Sequence, residues 1–152
     1  MGNIHLDVAD HIATIVIDNP EKRNAIDGKM SLELDRAYDE ITTNDDIRVA
    51  IITGQGPLAF CAGGYIPAYV ENGVVGSTGD KPRTPLPKPW RIWKPFIGAI
   101  RGAAVGGGFG LALSCDLRVA AHDATIGPSG LRRGVVQGGQ QTQRLTRIIP
   151  FA

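Results

Sequence analysis

The chain has 152 residues, of which 43% are hydrophobic and 20% are charged, and its formal net charge is +1. That length suits one domain with a real core, and the near-neutral charge gives no reason to expect nucleic acid or an anionic membrane as a partner. No apolar run reaches the roughly 18 residues of a membrane span, and residues 1–10 lack the basic and apolar regions of a signal peptide. We therefore expect a soluble, cytoplasmic protein with no membrane partner.

The first third of the chain is predicted to fold as a β-hairpin followed by a helix. Residues 4–8 alternate apolar and polar side chains, residues 11–17 are rich in β-branched side chains, and residues 9–10 form the turn between them. Turn-forming residues then fill positions 18–24. A helix follows, with the Asp27 carboxylate as its N-cap. Its apolar stripe consists of Met30, Leu32, Leu34, Ala37, Tyr38 and Ile41.

The middle of the chain combines one buried strand with two turn-rich segments. Residues 48–53 are nearly all apolar, which is typical of a strand that is buried on both faces. Residues 54–64 are rich in turn-forming residues, and residues 72–89 contain many glycines and prolines without periodicity. We expect residues 72–89 to form a mobile surface loop within one domain rather than a linker between two domains.

The second half alternates strands and helices, which favours a layered α/β fold. Residues 96–100 and 117–121 are apolar and are predicted to be strands, and residues 125–126 are a short extended piece. A triple glycine opens a predicted helix over residues 106–113. Residues 140–149 are predicted to form another helix, with apolar side chains on one face.

Two glycine clusters follow predicted strands and are the first candidates for a functional site. The first amides of a helix lack internal partners and lie at the positive end of the helix dipole, so Gly106–Gly108 can receive an anion or a developing oxyanion. A second amide from Ala62–Gly64 would complete the usual minimum of an oxyanion hole. A phosphate site and plain close packing of helix against strand remain alternatives, although the chain has no P-loop Gly-Lys-Ser/Thr motif.

The cysteines and histidines do not suggest a metal or redox site. Cys61 and Cys115 are far apart in sequence and belong to no CxxC pattern, and the three histidines form no ligand pair on one helix face. Both cysteines lie among small apolar residues, which predicts buried free thiols, with a disulfide or a catalytic thiol as the lesser alternatives.

Six short motifs, in order along almost the whole chain, resemble the crotonase (enoyl-CoA hydratase/isomerase) superfamily. They are NPEKRNA at 19–25, AFCAGGYI at 59–66, AAVGGGF at 103–109, CDLRVAA at 115–121, ATIG at 124–127 and TQRL at 142–145. The resemblance implies an α/β fold of the crotonase type, a spiral of ββα units. It also implies an acyl-CoA thioester as substrate, with coenzyme A as part of that substrate and no separate cofactor.

The resemblance also implies roles for individual residues. It places the two amides that stabilise a thioester enolate or oxyanion at Gly64 and Gly107. Arg23 matches a basic residue that approaches the phosphates of coenzyme A, and the Ala62 carbonyl matches the one that meets the adenine amino group. Ile66 lies beside that pocket. Ala25 completes the implied substrate-binding set.

The sequence departs from the family where the family carries its acids and bases. The two glutamates of the hydratases correspond to Gly110 and Gly130, and an aspartate of some isomerases and dehalogenases corresponds to Gly138. Tyr65 stands where an aspartate is usual. Ordinary hydration therefore lacks its general acid and base, so the particular reaction is open. The alternative is a catalytically inactive subunit of the same fold that binds CoA thioesters or has a structural role.

The resemblance treats residues 1–152 as one crotonase-like core domain. Family members continue beyond the last matched motif with helices that close the acyl pocket and build a trimer. A truncated or processed chain, or a piece completed by another polypeptide, is the expected explanation. With that C-terminal part present, the resemblance implies a homotrimer or a dimer of trimers.

Overall fold

The computed structural model describes residues 2–67, 92–134 and 136–149, so the loop predicted at residues 72–89 lies outside the described residues. Eight strands are present in these ranges: β1 Asn3–Ala9, β2 Ile12–Asp18, β3 Val49–Gly54, β4 Ala59–Cys61, β5 Phe96–Ile100, β6 Ala103–Val105, β7 Leu117–Ala120 and β8 Thr125–Gly127. Three helices lie wholly within these ranges, α1 Gly28–Thr43, α2 Gly107–Ser114 and α3 Gln141–Ile148. Short 3-10 helices cover Pro20–Lys22 and Gly130–Arg133.

The larger sheet has the strand order β1-β2-β3-β5-β7. Strands β1 and β2 pair antiparallel, and every other neighbouring pair in this sheet is parallel. Asp10 and His11 both have positive φ angles, +50° and +66°, which is the backbone of a two-residue hairpin turn. The predicted hairpin is therefore confirmed, with the turn one residue later than expected.

The smaller sheet was not predicted as a sheet. Its strands β4, β6 and β8 are all parallel and have three residues each. Along the chain each of these strands follows a strand of the larger sheet, as β5 is followed by β6 and then α2. This order repeats as β7, β8 and α3, so the expected succession of ββα units is present.

Helix α1 packs its apolar stripe into the core as predicted, with one exception. Asp27 is the N-cap, and its carboxylate accepts a 2.9 Å hydrogen bond from the Met30 amide. The exception is Leu32, which is 55% exposed and lies off the buried face. The buried members of the stripe are Met30, Leu34, Ala37, Tyr38 and Ile41. Burying them stabilises the fold by about 1.5–3 kcal/mol for each large aliphatic side chain.

Helix α3 differs from the expectation of an apolar face. Ile148 is 41% exposed and Ile149 is 51% exposed, whereas the buried residue of this helix is Gln141. Among the described residues, no helix is both long enough and apolar enough to cross a membrane.

The cysteines are buried free thiols, as predicted. The Cys115 thiol donates to the Leu111 carbonyl oxygen at 3.4 Å, and the Cys61 sulfur accepts from the Gly63 amide at the same distance. Burial raises the pKa of each thiol to about 12. Both groups therefore remain protonated and poor nucleophiles near neutral pH.

Candidate functional site

The two glycine clusters meet in the structure. A Cβ atom placed on Gly63 would lie 2.6 Å from the Gly107 nitrogen, and a Cβ atom placed on Gly107 would lie 3.2 Å from the Gly63 Cα and 3.5 Å from the Gly64 nitrogen. Gly63 also has a φ angle of +96°, which disfavours any L side chain. The loop after β4 and the start of α2 are therefore in direct backbone contact, and the two predicted amides are neighbours.

The Gly107 amide lies at the first position of α2, where a helix offers no internal acceptor. Gly106 precedes it with φ +56° and ψ −126°, a conformation open in practice only to glycine. The Gly106 carbonyl oxygen accepts the amides of Gly110 at 3.2 Å and of the Gln141 side chain at 2.9 Å. Within the described chain, the Gly107 N–H has no hydrogen-bond acceptor.

The Gly64 amide takes no part in the short parallel bridge that joins its loop to the segment before α1. Ile26 donates its amide to the Gly63 carbonyl at 2.8 Å, and its own carbonyl accepts the Tyr65 amide at 2.9 Å. These bonds skip Gly64, whose N–H finds no acceptor in the part of the chain that is described. Two amides from two loops, both half-buried, are thus without protein partners side by side.

Gly108 sets how closely α2 approaches β4. A Cβ atom on Gly108 would lie 1.9 Å from the Cys61 carbonyl oxygen. No side chain fits there, so the helix start packs directly against the strand backbone. Glycine at this position has a packing role, and this contact holds the Gly107 amide beside the loop that carries Gly64.

Of the predicted substrate-binding residues, Ala62 and Ile66 lie on this loop, and Arg23 and Ala25 lie on the segment that pairs with it. Ala62 donates its amide to the Arg23 carbonyl at 3.0 Å, while the Arg23 side chain is exposed. Ala25 is only 7% exposed and Ile66 is 47% exposed. The structure therefore brings Arg23 and Ala25 beside the loop that carries Ala62 and Gly64, and Ile66 lies at the exposed end of the same strip.

Asn24 fixes this strip and was not singled out by the sequence. Its side chain is fully buried and its φ angle is +56°. Its amide nitrogen donates to the carbonyls of Gln55 at 3.0 Å and Ala59 at 2.6 Å, and its amide oxygen accepts from the Asn19 backbone at 2.9 Å. The only signal in the sequence is an asparagine within a turn cluster, a residue type that tolerates a left-handed conformation.

The two positions that the resemblance assigns to the family glutamates present no acid or base. Gly110 is buried in α2, three residues after Gly107, and Gly130 begins the second 3-10 helix. The Ser129 hydroxyl oxygen lies 3.4 Å from the point where a Cβ on Gly106 would stand. Among the described residues, no group of three or more His, Cys, Asp or Glu side chains is arranged to hold a metal ion.

Comparison with known proteins shows the family of the chain. The family model for enoyl-CoA hydratase/isomerase matches residues 7–152. The (E)-benzylidenesuccinyl-CoA hydratase of Thauera aromatica is 36% identical over 98% of this chain and 59% of its own length. The short-chain-enoyl-CoA hydratase of Clostridium acetobutylicum is 31% identical over 98% of this chain and 58% of its own length.

Solved structures agree as well. An enoyl-CoA hydratase/isomerase from Mycobacterium paratuberculosis superposes with a TM-score of 0.86 at 28% identity, over 98% of this chain and 59% of that one. An enoyl-CoA hydratase from Mycobacterium tuberculosis superposes with a TM-score of 0.85 at 35% identity, over 97% of this chain and 57% of that one. The expected α/β fold is thereby confirmed, and the chain spans somewhat less than three fifths of the length of each of these relatives.

Proposed function

Because the chain belongs to the enoyl-CoA hydratase/isomerase family, we propose that it binds an acyl-CoA thioester and stabilises negative charge on the thioester oxygen. The observation that carries this proposal is the pair of amides at Gly64 and Gly107. They come from two loops in backbone contact, and within the described residues neither has an acceptor. The proposed activity is of the hydratase or isomerase type.

The chemistry needs this kind of group. Attack on a thioester carbonyl, or loss of a proton next to it, moves negative charge onto the carbonyl oxygen. Fixed N–H dipoles receive that charge with little reorganisation, and each donor contributes about 3–4 kcal/mol to transition-state stabilisation in known oxyanion holes. The N-terminal end of α2 adds a favourable dipole at Gly107.

We assign coenzyme A recognition to the strip beside the amides. The exposed Arg23 guanidinium has the charge and reach to meet a phosphate, and the Ala62 carbonyl is an acceptor for an adenine amino group. Ala25 and Ile66 provide apolar surface. Coenzyme A enters as part of the substrate rather than as a resident cofactor.

A second candidate function follows from Gly110 and Gly130. With glycine at both positions, neither of them supplies the carboxylate that would move a proton to or from water. This favours a subunit that binds CoA thioesters without turning them over. The two amides favour the enzyme, since binding alone does not need a site shaped for an oxyanion.

The decisive experiment removes one amide while keeping the helix. Proline suits the first helical position, so Gly107→Pro deletes the N–H at a place where proline is otherwise tolerated. Gly107→Ala is the matched control because it keeps the N–H and adds a Cβ 3.2 Å from Gly63 Cα, a contact that a small shift relieves. We expect turnover of an active acyl-CoA to fall by about 100-fold or more in Gly107→Pro. Gly107→Ala should retain most of it.

A panel of acyl-CoA thioesters at high protein concentration separates the two candidates. Binding with turnover supports the enzyme, and binding without turnover supports the inactive subunit. Equal activity of Gly107→Pro and Gly107→Ala would refute the role of the amide. Absence of binding to any acyl-CoA would refute both candidates. A trimeric assembly and a cytoplasmic location stay predictions, and we also propose a role in fatty acid metabolism.

A further inference from the structure

Gln141 is a polar side chain buried at the start of α3, with 5% of its surface exposed. Its side-chain nitrogen Nε2 donates a 2.9 Å hydrogen bond to the Gly106 carbonyl oxygen. That oxygen belongs to the same peptide group as the Gly107 N–H. A peptide group is planar, so a bond that fixes the oxygen also fixes the direction of the N–H on the other side.

We infer that Gln141 is a positioning residue that orients and strengthens the Gly107 amide as an oxyanion donor. This inference rests on the proposed function of that amide. Gly106 has no Cβ and holds φ +56°, so its own sterics restrain the following peptide weakly. Gln141 supplies restraint from α3, a separate part of the chain. A hydrogen bond accepted by a carbonyl also polarises the peptide and makes its N–H a better donor.

The bond from Gln141 completes the hydrogen bonding of the Gly106 carbonyl. The Gly110 amide, in the next turn of α2, donates to the same oxygen at 3.2 Å. A carbonyl oxygen has two lone pairs, so both are used. The bond from Gly110 joins the peptide group to its own helix, and the bond from Gln141 joins it to α3. Together the two bonds fix the orientation of the peptide group.

Gln137 holds Gln141 in turn. When the Gln137 amide is oriented so that both its ends find partners, its nitrogen donates to Gln141 Oε1 at 2.7 Å. Its oxygen then accepts the backbone amides of Gly130 at 3.0 Å and Leu131 at 3.1 Å. The chain of bonds runs from the segment that corresponds to a family glutamate, through two glutamines, to the candidate oxyanion amide.

The test uses cinnamoyl-CoA, a conjugated thioester whose absorption moves to longer wavelength when its carbonyl oxygen accepts strong hydrogen bonds. Gln141→Met keeps the length of the side chain and removes the donor. Gln143→Met is the matched control, because Gln143 is exposed on the same helix. We expect a red shift of the bound ligand with the unchanged protein and with Gln143→Met, and a smaller red shift with Gln141→Met. The dissociation constant of Gln141→Met for cinnamoyl-CoA should stay within about threefold of that of the unchanged protein. A full red shift with Gln141→Met overturns the inference, as does a loss that Gln143→Met shares.

Turnover gives a second measure where an active acyl-CoA is found. Gln141→Met should lower kcat by about tenfold and leave KM nearly unchanged, since the lost alignment matters most in the transition state. A rise in KM with unchanged kcat points to a merely structural or ground-state role and overturns the inference.

A ligand-free measurement separates failure of this inference from failure of the proposed function. The backbone ¹⁵N resonance of Gly107 reports hydrogen bonding at the Gly106 carbonyl, so it should move in Gln141→Met and stay in Gln143→Met. If cinnamoyl-CoA does not bind the unchanged protein, the proposed function fails, and an unmoved Gly107 resonance in Gln141→Met still overturns the positioning bond. Should Gln141→Met not fold, Gln141→Leu takes its place, since it also removes the Nε2 donor to the Gly106 carbonyl. An unmoved Gly107 resonance in that variant has the same consequence.

Discussion

The buried side chain of Asn24 is expected to make a large contribution to stability. Replacing it with glycine removes all three of its side-chain hydrogen bonds but keeps a backbone that tolerates φ +56°. Three backbone groups then lose partners, those of Asn19, Gln55 and Ala59. At about 1 kcal/mol for each, the free energy of unfolding should fall by about 3 kcal/mol.

Asn24→Ala separates the side chain from the backbone. It loses the same hydrogen bonds and must also hold alanine at a left-handed φ, which costs about 1 kcal/mol more. Urea unfolding should therefore rank the stabilities as unchanged protein, Asn24→Gly and Asn24→Ala. For a domain of this size, a loss of about 3 kcal/mol lowers Tm by about 6–12 °C.

Asn44→Ala is the matched control for Asn24. Asn44 ends α1, and its side chain bonds Glu40 and the Asp46 amide at the surface. Water replaces such bonds, so the loss should stay below about 1 kcal/mol. If Asn24→Gly costs no more than Asn44→Ala, the three hydrogen bonds of the Asn24 side chain do not hold the turn, and the assignment of Asn24 as its anchor is wrong.

Three further predictions concern packing, thiol titration and the absent carboxylates. Gly108→Ala places a Cβ 1.9 Å from the Cys61 carbonyl oxygen, so urea unfolding should show a loss of at least about 2 kcal/mol. Burial raises the pKa of Cys61 and Cys115 from 9.0 to about 12. Between pH 9 and pH 12 the unfolded chain therefore binds fewer protons than the folded chain, so the free energy of unfolding should fall as the pH rises through this range. Gly110→Glu combined with Gly130→Glu should produce hydration of an unsaturated acyl-CoA, measured by loss of its conjugated absorption, because the pair restores a general acid and base.

Each of these three predictions has a control variant or an outcome that would contradict it. Gly127→Ala meets nothing within 4 Å and should leave stability nearly unchanged, so equal losses at Gly127 and Gly108 would contradict the close contact with β4. A free energy of unfolding that stays constant across the alkaline range would contradict protonated buried thiols. Preserved acyl-CoA binding without any hydration in the double glutamate variant would contradict the correspondence of Gly110 and Gly130 to the family glutamates.

The longer elements could be predicted because their patterns persist over several residues. The stretch 96–100 was predicted to be a strand and is β5, and the helix after Asp27 begins where its capping carboxylate predicts. Strands β4, β6 and β8 have three residues each, which is too short for periodicity to distinguish a strand from a turn. Their pairing depends on partners far along the chain. The predicted helix at 140–149 is present as α3, but its buried residue is glutamine, since the contact it makes is with a backbone carbonyl.

The candidate site could be located from sequence only in part, because its reactive groups belong to the backbone. Every residue carries an N–H, so residue type alone does not reveal which N–H lacks a partner. What glycine reveals is special backbone geometry: Gly63 combines a positive φ with a neighbour that a Cβ would crowd, and Gly106 has a positive φ. Gly138, in contrast, has nothing within 4 Å of a Cβ position, so packing does not require glycine there. A glycine-rich sequence therefore contains two kinds of glycine, and the fold distinguishes those that bring the two amides together from those that merely lack a side chain. The proposed chemistry therefore belongs to the backbone amides of Gly64 and Gly107. Gln141 bonds the peptide group of the second amide, although the sequence gives no sign of that role, and it is the side chain to test first.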